Sequence, residues 1–136
     1  MATLFVADDD IIYQRIIKMT LNKYPVFKHV HYFNDGRSLI LYLIENKNDS
    51  SNLPDVIFLD IHMPELDGWG VLDAMQNLYS TFCKKIDVYV VTVSMMERDR
   101  QRALRYDFVK EFISKPISRD TIVAISEEVR VNSVVK

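Results

Sequence analysis

TLFVADDD, residues 3 to 10, joins a run fit for a buried strand to three consecutive acids. TLFVA is short, continuous and rich in β-branched and aromatic side chains, as expected of a strand covered on both faces. The acids mark its end, because adjacent carboxylates repel and are costly to bury. The same design returns at DVIFLD (55–60), introduced by Pro54, which is the most hydrophobic strand candidate and also stops on an acid.

Working outward, two periods alternate along the chain. Between Ile11 and Tyr24, Ile12, Ile16, Ile17 and Leu21 recur at helical spacing, and Pro25 ends that helix. FKHVHYF (27–33) reads as a second strand, and NDG leads into a helix whose apolar stripe is Leu39, Ile40, Leu43 and Ile44. NKNDSSN (46–52) is a polar loop. Beyond the 55–60 strand, Trp69, Leu72, Met75 and Leu78 predict a third helix and IDVYVVTV (86–93) a fourth strand. A fourth helix runs from about Met96 to Tyr106, EFIS (111–114) is a short fifth strand, and Ser118 caps a last helix carrying Ile122, Ile125 and Val129. RYDFVKEF (105–112) has no glycine, so either Asp107 or a neighbour takes a left-handed backbone or the turn is longer.

The chain has 136 residues, 49% of them hydrophobic, enough for one domain (1–136) with one ordinary core. A net charge of −2 supplies no broad basic field for nucleic acid or an anionic membrane. Cys83, the single cysteine, cannot close an internal disulfide, and neither a signal-peptide start nor a membrane-spanning run is present. The expectation is a reduced, soluble, cytoplasmic protein whose function lies in a local site.

Five strands alternating with five helices predict a three-layer α/β sandwich around a parallel sheet. Ligands of open parallel sheets bind beyond the carboxyl ends of the strands. Those ends carry Asp8, Asp9 and Asp10, then Asp60, Thr92 and Lys115. Taken singly, each has an ordinary explanation: acids cap helices, Lys115 before Pro116 is a solvated loop lysine, and Thr92 a satisfied strand hydroxyl. Convergence changes the weighting, because three gathered carboxylates need a cation. Hard oxygen ligands suit Mg²⁺ or Mn²⁺ better than zinc. His29 and His31 share a face of the second strand and read as a partly exposed strand face.

At these positions the sequence resembles the receiver domains of two-component response regulators over its whole length. Asp8 and Asp9 match the family's acid pair, Asp60 in LDIHMPELDG its phosphoacceptor, and Pro64 and Gly68 the following loop. Thr92, the Lys115-Pro116 pair and the aromatic switch position at Phe112 match in order and spacing. The resemblance implies a flavodoxin-like, doubly wound five-stranded sheet of order 2-1-3-4-5. It further implies that Asp60 takes a phosphoryl group from a phosphohistidine on a sensor histidine kinase or histidine phosphotransfer protein. Mg²⁺ would be held by Asp60, by Asp9 directly, by Asp8 mainly through water, and by the backbone carbonyl of His62. Lys115 and Thr92 would contact the phosphoryl group, and Thr92 and Phe112 would carry the change to the face of helix four, strand five and helix five.

Three function classes are thereby set apart. A Mg²⁺-dependent phosphohydrolase using Asp60 as nucleophile would favour an acid at position 62, where His stands. A purely structural domain would not need all five functional positions intact. With VNSVVK (131–136) as a short tail, the expected output is by contact: a regulator docking on a target, or a relay to a phosphotransfer protein. The arginines of helix four, Arg98, Arg100, Arg102 and Arg105, form either a solvated face or a partner or dimer contact.

Overall fold

The computed structural model describes residues 2–135, with side chains through residue 131. Strands β1 (Thr3–Ala7), β2 (His29–Phe33), β3 (Val56–Leu59), β4 (Asp87–Thr92) and β5 (Val109–Ser114) alternate with helices α1 (Ile11–Lys23), α2 (Gly36–Glu45), α3 (Gly68–Leu78), α4 (Glu97–Ala103) and α5 (Arg119–Val135). All pairings are parallel and the order is β2-β1-β3-β4-β5, the doubly wound arrangement expected from the sequence. The chain moves outward from β1 to β2, then returns past β1 to β3. The carboxyl ends of β1 and β3 therefore meet where the winding reverses.

Strand alternation divides the core into two layers. Phe5, Ala7, Ile57, Leu59, Val88 and Val90 pack with Leu39 and Leu43 of α2, Leu72 and Met75 of α3, and Ala103 of α4. Leu4, Val6, Val56, Phe58, Tyr89 and Val91 face Tyr13, Ile17 and Leu21 of α1 and Ile122 and Ile125 of α5. Each fully buried large aliphatic side chain contributes roughly 1.5–3 kcal/mol, so this double-sided burial holds the sheet edge in place.

Helix starts follow local chemistry. Asp10, Asp35 and Asp67 accept backbone N–H bonds at the starts of α1, α2 and α3, and Ser118 Oγ accepts from Thr121 N at the start of α5. α4 starts without a side-chain cap.

Several boundaries differ from the sequence reading. On α1 the buried face is Tyr13, Gln14, Ile17 and Leu21, while Ile12 and Ile16 are exposed. Isoleucine count set the wrong phase, because Tyr13 and Gln14 gain hydrogen-bond partners inward. Ile44 also lies outside the buried stripe of α2. β2 starts two residues later than expected, although Phe27 is buried, and β5 starts two residues earlier. β4 is shorter by one residue at each end and leaves Val93 exposed. A 3-10 turn at Tyr79–Thr81 extends α3. α4 ends at Ala103, so Arg105 lies beyond it, and α5 runs through the presumed tail to Val135. Among the described residues the one non-glycine with positive φ is Glu65 (φ 67°), which leaves the glycine-free α4–β5 turn in ordinary conformations. That turn enters β5 through a register shift opposite Val88 and Tyr89, with Lys110 as the extra residue. No described helix is long and apolar enough to cross a membrane.

Candidate functional site

Three strand ends build the site. Asp8 follows β1 and Asp60 follows β3, both buried, while Asp9 is exposed at the rim. One carboxylate oxygen from each of the three lies within 4.8 Å of the others. That spacing and an all-oxygen donor set fit a hard divalent cation such as Mg²⁺ or Mn²⁺. Asp10 belongs to the helix instead: its Oδ1 accepts from Ile12 N (3.0 Å) and Tyr13 N (3.2 Å).

Lys115 arrives from the end of β5. Its Nζ lies 2.7 Å from Asp8 Oδ2 and 3.1 Å from Asp60 Oδ2, bridging the two buried acids. Such a buried pair balances desolvation against Coulombic gain and is not by itself strongly stabilising. Its value is positional, because it holds an ammonium group against the buried carboxylate of Asp60. Burial is the largest influence on Asp8 and pushes its carboxyl above the usual range, against the lowering effect of the Lys115 bond and the Asp10 N–H. For Lys115, burial pulls downward, but the bonds and charges of Asp8 and Asp60 together outweigh it and keep the ammonium above its ordinary value.

Thr92 ends β4, fully buried, with an Oγ1 that has no hydrogen-bond partner among the described residues. An unsatisfied buried hydroxyl costs about 1–3 kcal/mol, a penalty that an acceptor placed in the pocket would remove. Register pairs Thr92 with Ser114 and Val90 with Phe112, so Phe112 sits diagonally beside Thr92 on the same sheet face, half-buried against the core. A parallel bond from Lys115 N to Thr92 O (2.9 Å) ties the two strand ends together.

The loop after β3 keeps Asp60 in place. Asp60 Oδ1 accepts from Ile61 N (2.8 Å), and Gly68 N donates to Ile61 O (2.8 Å). A Cβ on Gly68 would stand 2.5 Å from Asp60 O and 2.7 Å from Ile61 Cα, so glycine lets α3 begin directly against the Asp60 turn. His62 and Pro64 are exposed in this loop. Pro116 follows Lys115 across a cis peptide bond.

Two supporting residues escaped the sequence reading. Gln14 Nε2 donates to Asp8 O and to Asn34 Oδ1 (3.0 Å), clamping the acid loop to the end of β2. The Tyr13 ring lies 4.5 Å from Lys115 Nζ, and its hydroxyl accepts from Ile117 N (3.4 Å). Burial raises that phenol to about 12. The spacing of Tyr13 with Ile17 and Leu21 was the available signal, and the neighbouring isoleucines obscured it.

Comparison with known proteins agrees with this geometry. Residues 4–127 match the family described as the response regulator receiver domain. Similar curated proteins include the probable methanogenesis regulatory protein FilR2 of Methanothrix harundinacea, 24% identical over 93% of this chain and 80% of that protein. Another is hybrid signal transduction histidine kinase I of Dictyostelium discoideum, 30% identical over 85% of this chain but 6% of that protein. Among solved structures, a two-component response regulator from Cytophaga hutchinsonii superposes with a TM-score of 0.81 at 22% identity, covering 95% of this chain and 96% of the other. The CheX–CheY–BeF3–Mg²⁺ complex from Borrelia burgdorferi gives 0.71 at 24%, covering 99% and 90%. With a family match spanning nearly all of its core, the chain belongs to the response regulator receiver domains.

Proposed function

We propose that this chain is a phosphoacceptor that takes a phosphoryl group on Asp60 from a protein phosphohistidine. The carrying observation is the convergence of buried Asp60, the Lys115 ammonium, the Asp8–Asp9 pair and the orphaned Thr92 hydroxyl at one sheet edge. A carboxylate oxygen of Asp60 attacks phosphorus; the histidine N–P bond breaks as the acyl O–P bond forms. Positioning and charge neutralisation are the protein's main contributions. Asp8, Asp9, Asp60 and the His62 carbonyl would hold Mg²⁺, or Mn²⁺, which when bound offsets the phosphoryl charge. Lys115 follows the new phosphoryl oxygens, and Thr92 donates its free hydroxyl to one of them. As Thr92 turns toward the phosphoryl group, Phe112 moves inward beside it. The population shift is then read on the α4, β5 and α5 face. Pro64, Gly68 and Pro116 shape the loops that present these groups.

The rim favours delivery by another protein. Ile11 and Ile12 follow the acids on α1, and Val93, Met95 and Met96 follow Thr92; all are solvent-exposed, Met95 at 79%. Apolar side chains flanking a charged centre mark an interaction surface. The partner is a sensor histidine kinase or a histidine phosphotransfer protein, and the module acts through contacts with other proteins. Incubation with Mg²⁺ and acetyl phosphate, followed by intact mass, tests the reading. One phosphoryl mass on the parent chain and none on Asp60→Asn is expected. No addition, or addition that survives the substitution, rejects it, and steady turnover of phosphomonoesters would indicate a hydrolase.

A further inference from the structure

We propose that Tyr13 is a positioning residue for phosphoryl transfer: its ring face seats the Lys115 ammonium beside Asp60 and keeps that charge in place while the carboxylate reacts. The inference rests on the phosphoacceptor reading above and gives a role to a residue outside the groups that would touch the phosphoryl group.

A compact ammonium on a flexible aliphatic stem does not hold one geometry unaided. Two of the Lys115 N–H donors are directed at Asp8 and Asp60, whose oxygens lie 2.7 and 3.1 Å from Nζ. Both are acids whose charge the proposed reaction engages: Asp60 gives up its carboxylate charge as the acyl phosphate forms, and Asp8 would also serve the divalent ion. The third contact is of another kind. Nζ stands 4.5 Å over the centroid of the Tyr13 ring, within the reach of cation–π attraction. With the Lys115 side chain only 9% exposed, that attraction belongs to the stronger, desolvated class. A neutral ring accepts no phosphoryl group, so the ammonium can turn from Asp60 toward a new phosphoryl oxygen without leaving its seat.

The ring is itself fixed. Tyr13 is 7% exposed and packs in the layer that contains Ile17, Ile117 and Ile122. Asp10 N donates to Asp8 Oδ1 (2.9 Å), and Asp10 Oδ1 accepts from Tyr13 N (3.2 Å). One turn of chain thus sets the buried acid and the aromatic seat at a defined spacing. On the lysine's side, Lys115 N donates to Thr92 O (2.9 Å) and Ile117 N donates to the Tyr13 hydroxyl (3.4 Å). The latter bond is long, so the ring rather than the hydroxyl makes the larger contribution. A side chain that only filled the core would be replaced by phenylalanine or leucine alike; a seat for an ammonium is kept by phenylalanine and lost with leucine.

Rates of phosphoryl uptake from acetyl phosphate at saturating Mg²⁺, read by intact mass for the parent chain, Tyr13→Phe and Tyr13→Leu, test the role. Tyr13→Phe should keep most of the rate, whereas Tyr13→Leu should lose on the order of tenfold, the scale of a desolvated cation–π contact. On a Lys115→Ala background Tyr13→Leu should cause no further loss, because the ring acts through the lysine. Without any phosphodonor, the Lys115 ε-methylene protons should resonate upfield of their ordinary position in the parent and in Tyr13→Phe, and return toward it in Tyr13→Leu. The parent's ring shift and the Tyr13→Phe rate decide the question even where Tyr13→Leu is unstable. A parent chain that takes no label removes the phosphoacceptor reading and this inference with it. With the parent labelled, four results each remove the role of Tyr13 alone: unshifted Lys115 protons in the parent, a parental rate in Tyr13→Leu, a loss in Tyr13→Phe as large as in Tyr13→Leu, or equal losses from Tyr13→Leu with and without Lys115.

Discussion

At the scale of single residues, adjacent acids and one threonine have separable jobs. Asp9 is exposed and shares an ion-sized space with Asp8 and Asp60, whereas Asp10 spends its oxygen on the first turn of α1. Asp9→Ala is expected to weaken Mg²⁺ binding severely while leaving stability within about 0.5 kcal/mol. Asp10→Ala should spare Mg²⁺ and cost about 1 kcal/mol as a lost cap. Calorimetric Mg²⁺ titration and urea unfolding of the two variants separate these effects. Thr92→Val removes a hydroxyl that is buried without a partner. Stability should stay level or rise by up to about 1–2 kcal/mol, since an unsatisfied polar atom is replaced by a methyl. The same variant should lose the phosphorylation-dependent chemical-shift change at Phe112; a full response there would remove Thr92 from the switch.

At the scale of elements, helices were legible where one apolar face was unambiguous and misjudged where polar residues turn inward. α1 shows why: Gln14 is polar by type but finds acceptors at Asp8 O and Asn34 Oδ1, so its inward phase wins over that of Ile12 and Ile16. α4 and the turn that follows it are joined to α3 by side chains that strand and helix periodicity does not reveal. Arg102 lies 4.1 Å over the Trp69 ring, and the Tyr106 hydroxyl donates to Asp73. Burial first, and then the bond to Asp73, push Tyr106 from 10.0 to about 12. The phenol ionises earlier in the unfolded chain, so this contribution is whole below pH 10 and is lost as pH climbs from 10 toward 12. Tyr106→Phe should cost about 1 kcal/mol at neutral pH and flatten part of the alkaline decline. Urea midpoints at neutral and strongly alkaline pH measure both, and an unchanged slope would show that Tyr106 does not carry it.

At the scale of the whole molecule, the winding of the sheet decides what meets. Reversal between β1 and β3 brings Asp8 and Asp60 together, and the parallel neighbours β4 and β5 add Thr92 and Lys115 from one side. Under the proposed function, the outward isoleucines of α1, exposed on the side where the helix leaves the acids, would form part of the surface that meets the donor protein. Ile12→Glu combined with Ile16→Glu changes exposed positions only, so folding and labelling by acetyl phosphate should persist. Transfer from a phosphorylated histidine phosphotransfer domain that labels the parent chain should fall at least about tenfold, on the order of one lost interface anchor. Equal transfer to both proteins would place docking elsewhere.

Sequence alone determined the alternation of strands and helices, because apolar runs and 3.6-residue stripes are local properties. It also determined the acids, threonine and lysine at the strand ends, since a charged or polar residue closing a buried run is costly anywhere else. Only tertiary structure decided the rest. The Lys115 bridge to both Asp8 and Asp60, the missing partner of Thr92, and the clamp by Tyr13 and Gln14 all depend on residues far apart in the chain. Whether a polar atom is satisfied depends on distance and burial, and these exist only once the sheet is wound and its two faces are covered.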